Sequence, residues 1–140
     1  MTTAIDTNIL VGLWQDNDEL NRAVRNALDR VFLRGRLVIS ATVYAELMAS
    51  PGRTEKFLED FLDETTITVD WMMEAPIWKA AGLAFSEYAE RRRKQKARLP
   101  RRILADFLIG AHALHRRYEL LTLDKGIYRT AFPKLKISRI

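Results

Sequence analysis

The chain begins MTTAIDTNILVGL (residues 1–13), and the reading of that stretch decides the fold. The run before Asp6 has the makings of a short apolar strand that ends at this acid. Asp6, Thr7 and Asn8 interrupt it with three polar side chains, and the apolar run resumes at Ile9. Asp and Asn are common turn and helix-cap residues, because their short side chains bond nearby backbone amides. An acid at the end of a buried strand is also how a catalytic sheet holds a carboxylate toward a ligand. The triplet alone leaves both readings open.

Working outward, the apolar spacing switches repeatedly between strand-like runs and the helical period. Leu20, Ala23, Val24, Ala27, Leu28, Val31 and Phe32 follow the i, i+3, i+4, i+7 rule and predict a helix. RLVIS (36–40) reads as a buried strand, and TVYAELMAS (42–50) as a helix stopped by Ser50, Pro51 and Gly52. Phe57, Leu58, Phe61 and Leu62 mark another helix, and TITVDW (66–71) another strand. Ile77, Ala81, Ala84, Phe85 and Tyr88 predict a helix that starts beside Pro76. A further helix covers 102–117, then a strand at ELLTL (119–123), a short helix from Lys125 and a last strand near 135–140. This alternation predicts a three-layer α/β fold, with a mainly parallel central sheet and helices on both faces. In such sheets ligands bind beyond the carboxyl ends of the strands, where the strand order reverses. Asp6 and Asp124 both stand at such ends, and Thr122 points the same way as Asp124 by period two.

The 140 residues, 48% hydrophobic and 29% charged, predict one soluble domain spanning 1–140, with no linker or repeat. The absence of cysteine excludes disulfides and thiolate metal sites. No signal peptide or membrane-spanning run is seen, so a cytoplasmic protein is expected. The net charge of +5 is uneven: RRRKQKARLPRR (91–102) holds eight Lys or Arg and no acid, leaving 15 basic against 18 acidic residues elsewhere. Arg91, Arg92, Arg93, Lys94, Lys96, Arg98, Arg101 and Arg102 are either a solvated helix end or the footprint of nucleic-acid phosphates.

Two more acids reach the same edge in this topology. Glu46 lies one turn into the helix after LVIS, as a site residue or as a favourable charge near a helix N-terminus. Asp106 shares a helix face with Ile103, Gly110 and Ala113, next to a second apolar face of Leu104, Phe107, Leu108, Ala111 and Leu114. A helix apolar on two sides is buried, and a carboxylate there demands a cation unless the first turn faces water. Asp6, Glu46, Asp106 and Asp124 together, with no matching buried Lys or Arg, would repel one another and raise their own pKa values. Divalent Mg²⁺ or Mn²⁺, which take oxygen ligands, would relieve that repulsion. Paired ions of this kind cleave phosphodiesters by activating water and stabilising the leaving oxygen.

The stretches IDTNIL (5–10), ISATVYAEL (39–47), ADFLIGAHAL (105–114) and LLTLDKGIY (120–128) resemble, in order and spacing, the PIN-domain ribonucleases. The likeness is to the VapC-like toxins of toxin–antitoxin pairs, and it extends over nearly the whole chain. It implies that Asp6, Glu46, Asp106 and Asp124 are the metal-binding and catalytic quartet, with Asn8 and Thr122, and less clearly Thr7, as polar supports. It also implies Mg²⁺ or Mn²⁺ dependence, RNA as substrate, a homodimer and a cognate antitoxin that blocks the site.

His112 and His115 have a chelating spacing, but surface or packing roles are expected of them. WMMEAPIW (71–78) is expected in the core, the other reading being a dimer or antitoxin surface. A phosphoacceptor receiver would want an acidic pair after the first strand. An aspartyl phosphatase would want a second Asp at position eight, where Asn8 stands. The remaining rival is a non-catalytic RNA-binding or adaptor module that keeps the acidic pocket.

Overall fold

The computed structural model describes residues 1–95 and 102–140. Lys96, Arg98 and Arg101 of the basic segment lie outside the described residues. Five strands, β1 (Thr2–Ile5), β2 (Arg36–Ser40), β3 (Thr68–Asp70), β4 (Glu119–Leu121) and β5 (Ile137–Ser138), form one sheet in the order β3-β2-β1-β4-β5. All four pairings are parallel, so the predicted doubly covered sheet is what the chain builds. Among the described residues seven helices flank it: α1 (Thr7–Trp14), α2 (Asp18–Arg34), α3 (Ala41–Met48), α4 (Glu55–Thr65), α5 (Ala75–Lys94), α6 (Leu104–Arg116) and α7 (Lys125–Ala131). The order runs outward from β1 in one direction through β2 and β3, then in the other through β4 and β5. The reversal therefore falls between β1 and β4, at the strand ends carrying Asp6 and Asp124.

Local chemistry sets the boundaries. Asn17 caps α2 by accepting from Leu20 N at 3.0 Å, with Asp18 and Glu19 in the first turn and Arg34 in the last, matching the helix dipole. Gly35 follows because a Cβ there would lie 1.9 Å from the Met1 carbonyl oxygen. That carbonyl accepts from Arg36 N at 3.0 Å and starts the β1–β2 pairing. Pro76 opens α5, which packs on α6 through Phe85 stacked on Phe107 at 5.0 Å.

Three expectations change. The strands are shorter than read: β4 ends at Leu121, because Thr122 leaves the ladder to bond Asp6 and Asp124 turns its N–H onto Thr122 Oγ1 at 3.0 Å. In α6, Phe107 through Ala113 are all buried, as two apolar faces demand, but Ile103 and Leu104 are exposed at its start. The stretch WMMEAPIW is mostly outside the core: Trp71 and Met72 are each 59% exposed and Trp78 is exposed as well, while Ile77 is wholly buried. A polar frame holds it outside. Asp70 Oδ1 accepts from Met72 N at 3.1 Å, Arg116 donates to the Met72 carbonyl at 3.2 Å, and Trp78 Nε1 donates to the Met73 carbonyl at 3.0 Å.

Candidate active site

Asp6 caps a helix at a buried strand end. It is the N-cap of α1, its Oδ1 accepting from Thr7 N at 2.7 Å, and it is also 5% exposed at the floor of the acidic edge. Its other oxygen, Oδ2, accepts from Thr122 Oγ1 at 2.7 Å and from the Tyr128 hydroxyl at 3.1 Å. The rung from Asp6 N to the Leu121 carbonyl, 2.9 Å, fixes β1 against β4 at this level. Thr7 then reaches across to α3, its hydroxyl donating to Glu46 Oε1 at 2.5 Å. Asn8 ties the far side, with Oδ1 accepting from Leu123 N at 3.1 Å and Nδ2 donating to Thr122 Oγ1 at 3.4 Å. Thr7, Asn8 and Thr122 thus hold the backbone and carboxylates of the edge in place.

The acids feel one another. Burial pushes the Asp6 carboxyl up to about 6, further raised by the Asp106 charge and opposed by the hydrogen bonds from Thr122, Tyr128 and Thr7. Glu46, half-buried, is raised first by burial and then by Asp106, with Thr7 pulling the other way. Asp106, also half-buried, is raised first by burial, with Arg102 opposing and Asp124 adding to the rise. The expectation of no matching cation needs correction at one point. Arg102 Nη1 donates to Asp124 Oδ2 at 2.5 Å, so the fourth acid is paired while, among the described residues, the other three make no ion pair. Among the described basic residues, Arg102, just before α6, is the one paired with Asp124.

All four acids therefore come to the β1/β4 edge from four separate elements. Among the described residues, no three His, Cys, Asp or Glu side chains converge closely enough to cage one ion. By chemistry the donors still fit a hard divalent cation: they are carboxylate oxygens whose burial and mutual repulsion a cation would relieve. His112 and His115 take no part. His112 is 1% exposed with Nε2 2.9 Å from Asp70 Oδ2, and His115 lies near the surface 3.4 Å from Glu74.

The basic end of α5 adjoins the acids. A cleft of about 300 Å³ is lined by Phe85, Tyr88, Arg92, Arg93 and Arg102. A second, of about 250 Å³, is lined by Tyr88, Arg91, Arg102 and Asp124. Arg91 lies over the Tyr88 ring at 5.5 Å, and Arg93 is paired with Glu90. Among the described residues, Arg91 Nη2 and Arg102 Nε are buried donors with no acceptor. A larger cleft of about 400 Å³, lined by Leu13, Leu28, Phe32 and Phe61, contains none of the four acids.

Sequence reasoning missed Tyr128. Its signal was available: it stands four residues after Asp124 on a helix, hence on the same side as that acid.

The sequence profile of the PIN domain matches residues 3–133. Among curated proteins none matches by sequence. Among solved structures the chain is similar to VapBC-1 of nontypeable Haemophilus influenzae (22% identity, TM-score 0.66, covering 99% of this chain and 97% of that one). It is also similar to VapBC2 of Rickettsia felis bound to a DNA fragment from its promoter (20% identity, TM-score 0.62, 99% and 98% covered). A third likeness is to FitAcB of Neisseria gonorrhoeae (18% identity, TM-score 0.61, 98% and 96% covered).

Proposed function

This chain belongs to the PIN-domain family, and from that premise we propose that it is a metal-dependent endoribonuclease, the toxin of a toxin–antitoxin pair. The observation that carries this reading is the meeting of Asp6, Glu46, Asp106 and Asp124 at the strand-order reversal, three of them with raised pKa values. In this reading residues 1–140 act as one nuclease domain in the cytoplasm. Among the described residues no helix is long and apolar enough to cross a membrane.

Asp6, Glu46, Asp106 and Asp124 would hold Mg²⁺ or Mn²⁺, which when bound supplies Lewis-acid stabilisation and a water of lowered pKa for phosphodiester hydrolysis. The chain's own side chains do the rest. Thr7 and Thr122 fix the carboxylate oxygens of Glu46 and Asp6, and Asn8 fixes the β4 exit, so little reorganisation is needed as charge develops. Arg91, Arg92 and Arg102 line clefts that open beside Asp124, where RNA phosphates flanking the scissile bond would bind. A phosphate oxygen would supply the acceptor that Arg91 Nη2 and Arg102 Nε lack among the described residues. Arg93, Lys94, Lys96, Arg98 and Arg101 would extend that field along the strand. The exposed Trp71, Met72 and Trp78 give a surface for an antitoxin or a second copy of the chain. Support for an antitoxin is that the similar structures include a toxin–antitoxin complex from Klebsiella pneumoniae.

One observation favours a second reading, a non-catalytic RNA-binding adaptor: the absence, among the described residues, of a three-carboxylate cage. A single experiment separates the two. Purified protein is incubated with a mixed cellular RNA pool in Mn²⁺, in chelator, and as Asp6→Asn. Discrete fragments from wild type with metal alone are expected. RNA binding without cleavage, in protein shown to hold Mn²⁺, would overturn the nuclease and leave the adaptor.

A further inference from the structure

We infer that Tyr128 is a positioning residue of the acidic site, and that Gly110 exists to let it reach. The inference rests on the metal-site reading above and goes beyond it by assigning a role to residues that reading does not use. Tyr128 lies on α7, is almost wholly buried, and spans from the core to the strand edge, where its hydroxyl meets Asp6 Oδ2 at 3.1 Å. Asp6 is the most buried of the four acids and, among the described residues, has no cationic partner. Its orientation is set by three donors: Thr7 N on Oδ1, with Thr122 Oγ1 and the Tyr128 hydroxyl sharing Oδ2. Thr7 and Thr122 lie on the two strand exits that define the edge. Tyr128 brings the third donor from a different element, so the carboxylate is clamped from α7 as well as from β1 and β4.

That reach depends on close packing of α7 against α6. Gly110 stands one turn after Asp106, and a Cβ built on it would lie 2.4 Å from Phe132 Cε2 and 3.0 Å from Tyr128 Cδ1. Any larger residue must push both rings away, and with them the hydroxyl. The absent side chain in α6 is therefore coupled to the orientation of Asp6 through the Tyr128 ring. A phenylalanine at position 128 would fill the same core volume, so packing explains the ring and leaves the hydroxyl to be explained. A donor on a ligand carboxylate is the part played by outer-shell partners of metal ligands, whose loss costs about 10–100-fold in metal affinity.

The test is calorimetric titration of Mn²⁺ into metal-free, RNA-free protein, with unfolding by heat and cleavage kinetics measured in parallel. Four forms are compared: wild type, Tyr128→Phe, Tyr128→Leu and Gly110→Ala. The expected result for Tyr128→Phe is a melting temperature near that of wild type, Mn²⁺ affinity lower by about 10–100-fold, and a fall in kcat at saturating metal with KM for RNA unchanged. Tyr128→Leu should lose melting temperature as well, separating the ring's packing role from the hydroxyl's. Gly110→Ala should lower Mn²⁺ affinity in the same direction while altering no polar group. Wild-type Mn²⁺ affinity in Tyr128→Phe would overturn the proposal and leave the nuclease reading standing. A wild-type protein that binds no Mn²⁺ would overturn the metal site itself, and this assignment with it.

Discussion

At the β1 and β4 ends of the sheet, burial and mutual repulsion push Asp6, Glu46 and Asp106 up, whereas just past β3 the carboxyls of Asp70 and Glu74 are held below their ordinary range. The chemistry of the two groups is the same and the environment differs. Burial would raise Asp70 too, but hydrogen bonds from His112, Met72 N and Arg116 outweigh it. Arg116 Nε sits 2.9 Å from Asp70 Oδ2, and the same guanidinium pairs with Glu74. Burial lowers the pKa of His112 and favours the neutral ring, so Nε2–H donates to Asp70. The β3 cluster is complete: its acids are matched by cations and donors from α6, and it anchors the exposed Trp71 loop. Among the described residues, the β1/β4 cluster has one ion-paired arginine, Arg102, for four acids. An acid group that the fold has neutralised is structural. One left short of positive charge is, in the proposed reading, poised for a cation, and that difference in charge balance is what would separate a site from a strut.

The sharpest way to break the comparison is to remove one acid from each group. Asp106→Asn should lower RNA cleavage on the order of 10³-fold, the several kcal/mol that ion-assisted stabilisation supplies, and should leave the metal-free fold intact. Asp70→Asn should do the reverse, losing stability while cleaving at a rate near wild type. Single-turnover cleavage and urea unfolding on both variants would check this. Equal losses of cleavage would erase the distinction between the clusters.

The pH dependence of stability should also have opposite signs. Asp6 has a folded pKa of about 6 against an ordinary 3.8, so native metal-free protein binds this proton more tightly than the unfolded chain. Its contribution is fully present below pH 4 and is lost as the pH rises to about 6, a swing of about 3 kcal/mol at 1.36 kcal/mol per unit. The difference in unfolding free energy between wild type and Asp6→Asn, measured in chelator from pH 4 to 7, should fall by that order. Asp70 has a lowered pKa, so its contribution is present at neutral pH and lost on acidification. Comparing wild type with Asp70→Asn as the pH is lowered through and below its ordinary 3.8 should give a slope of the other sign.

The smallest effect expected is that of Arg116→Met. It strips Asp70 and Glu74 of their shared cation and should cost about 2 kcal/mol, the order of a lost charged hydrogen bond. Urea melts would measure it, and cleavage should persist. A large loss of cleavage would mean that the β3 cluster communicates with the active edge.

The fold was legible in this sequence because periodicity is a local property. Alternating runs such as 20–32 and 36–40 fix element type, and their order implies a parallel sheet with a reversal point. The acids at strand ends and on the inner faces of α3 and α6 could be named for the same reason. Pairings across the sheet were not legible, because they join residues far apart in the chain. Arg102 on Asp124, Thr7 on Glu46 and Tyr128 on Asp6 are separated by 22, 39 and 122 positions. Composition misplaced Trp71 and Met72 in the core, since nothing local records that Arg116, 44 residues on, holds the Met72 carbonyl at the surface. By itself the sequence determined which residues form strands and helices, and that carboxylates gather at one edge. Only the tertiary structure decided which of those carboxylates are neutralised, because a charge's energy depends on the partners that folding places within a few ångströms.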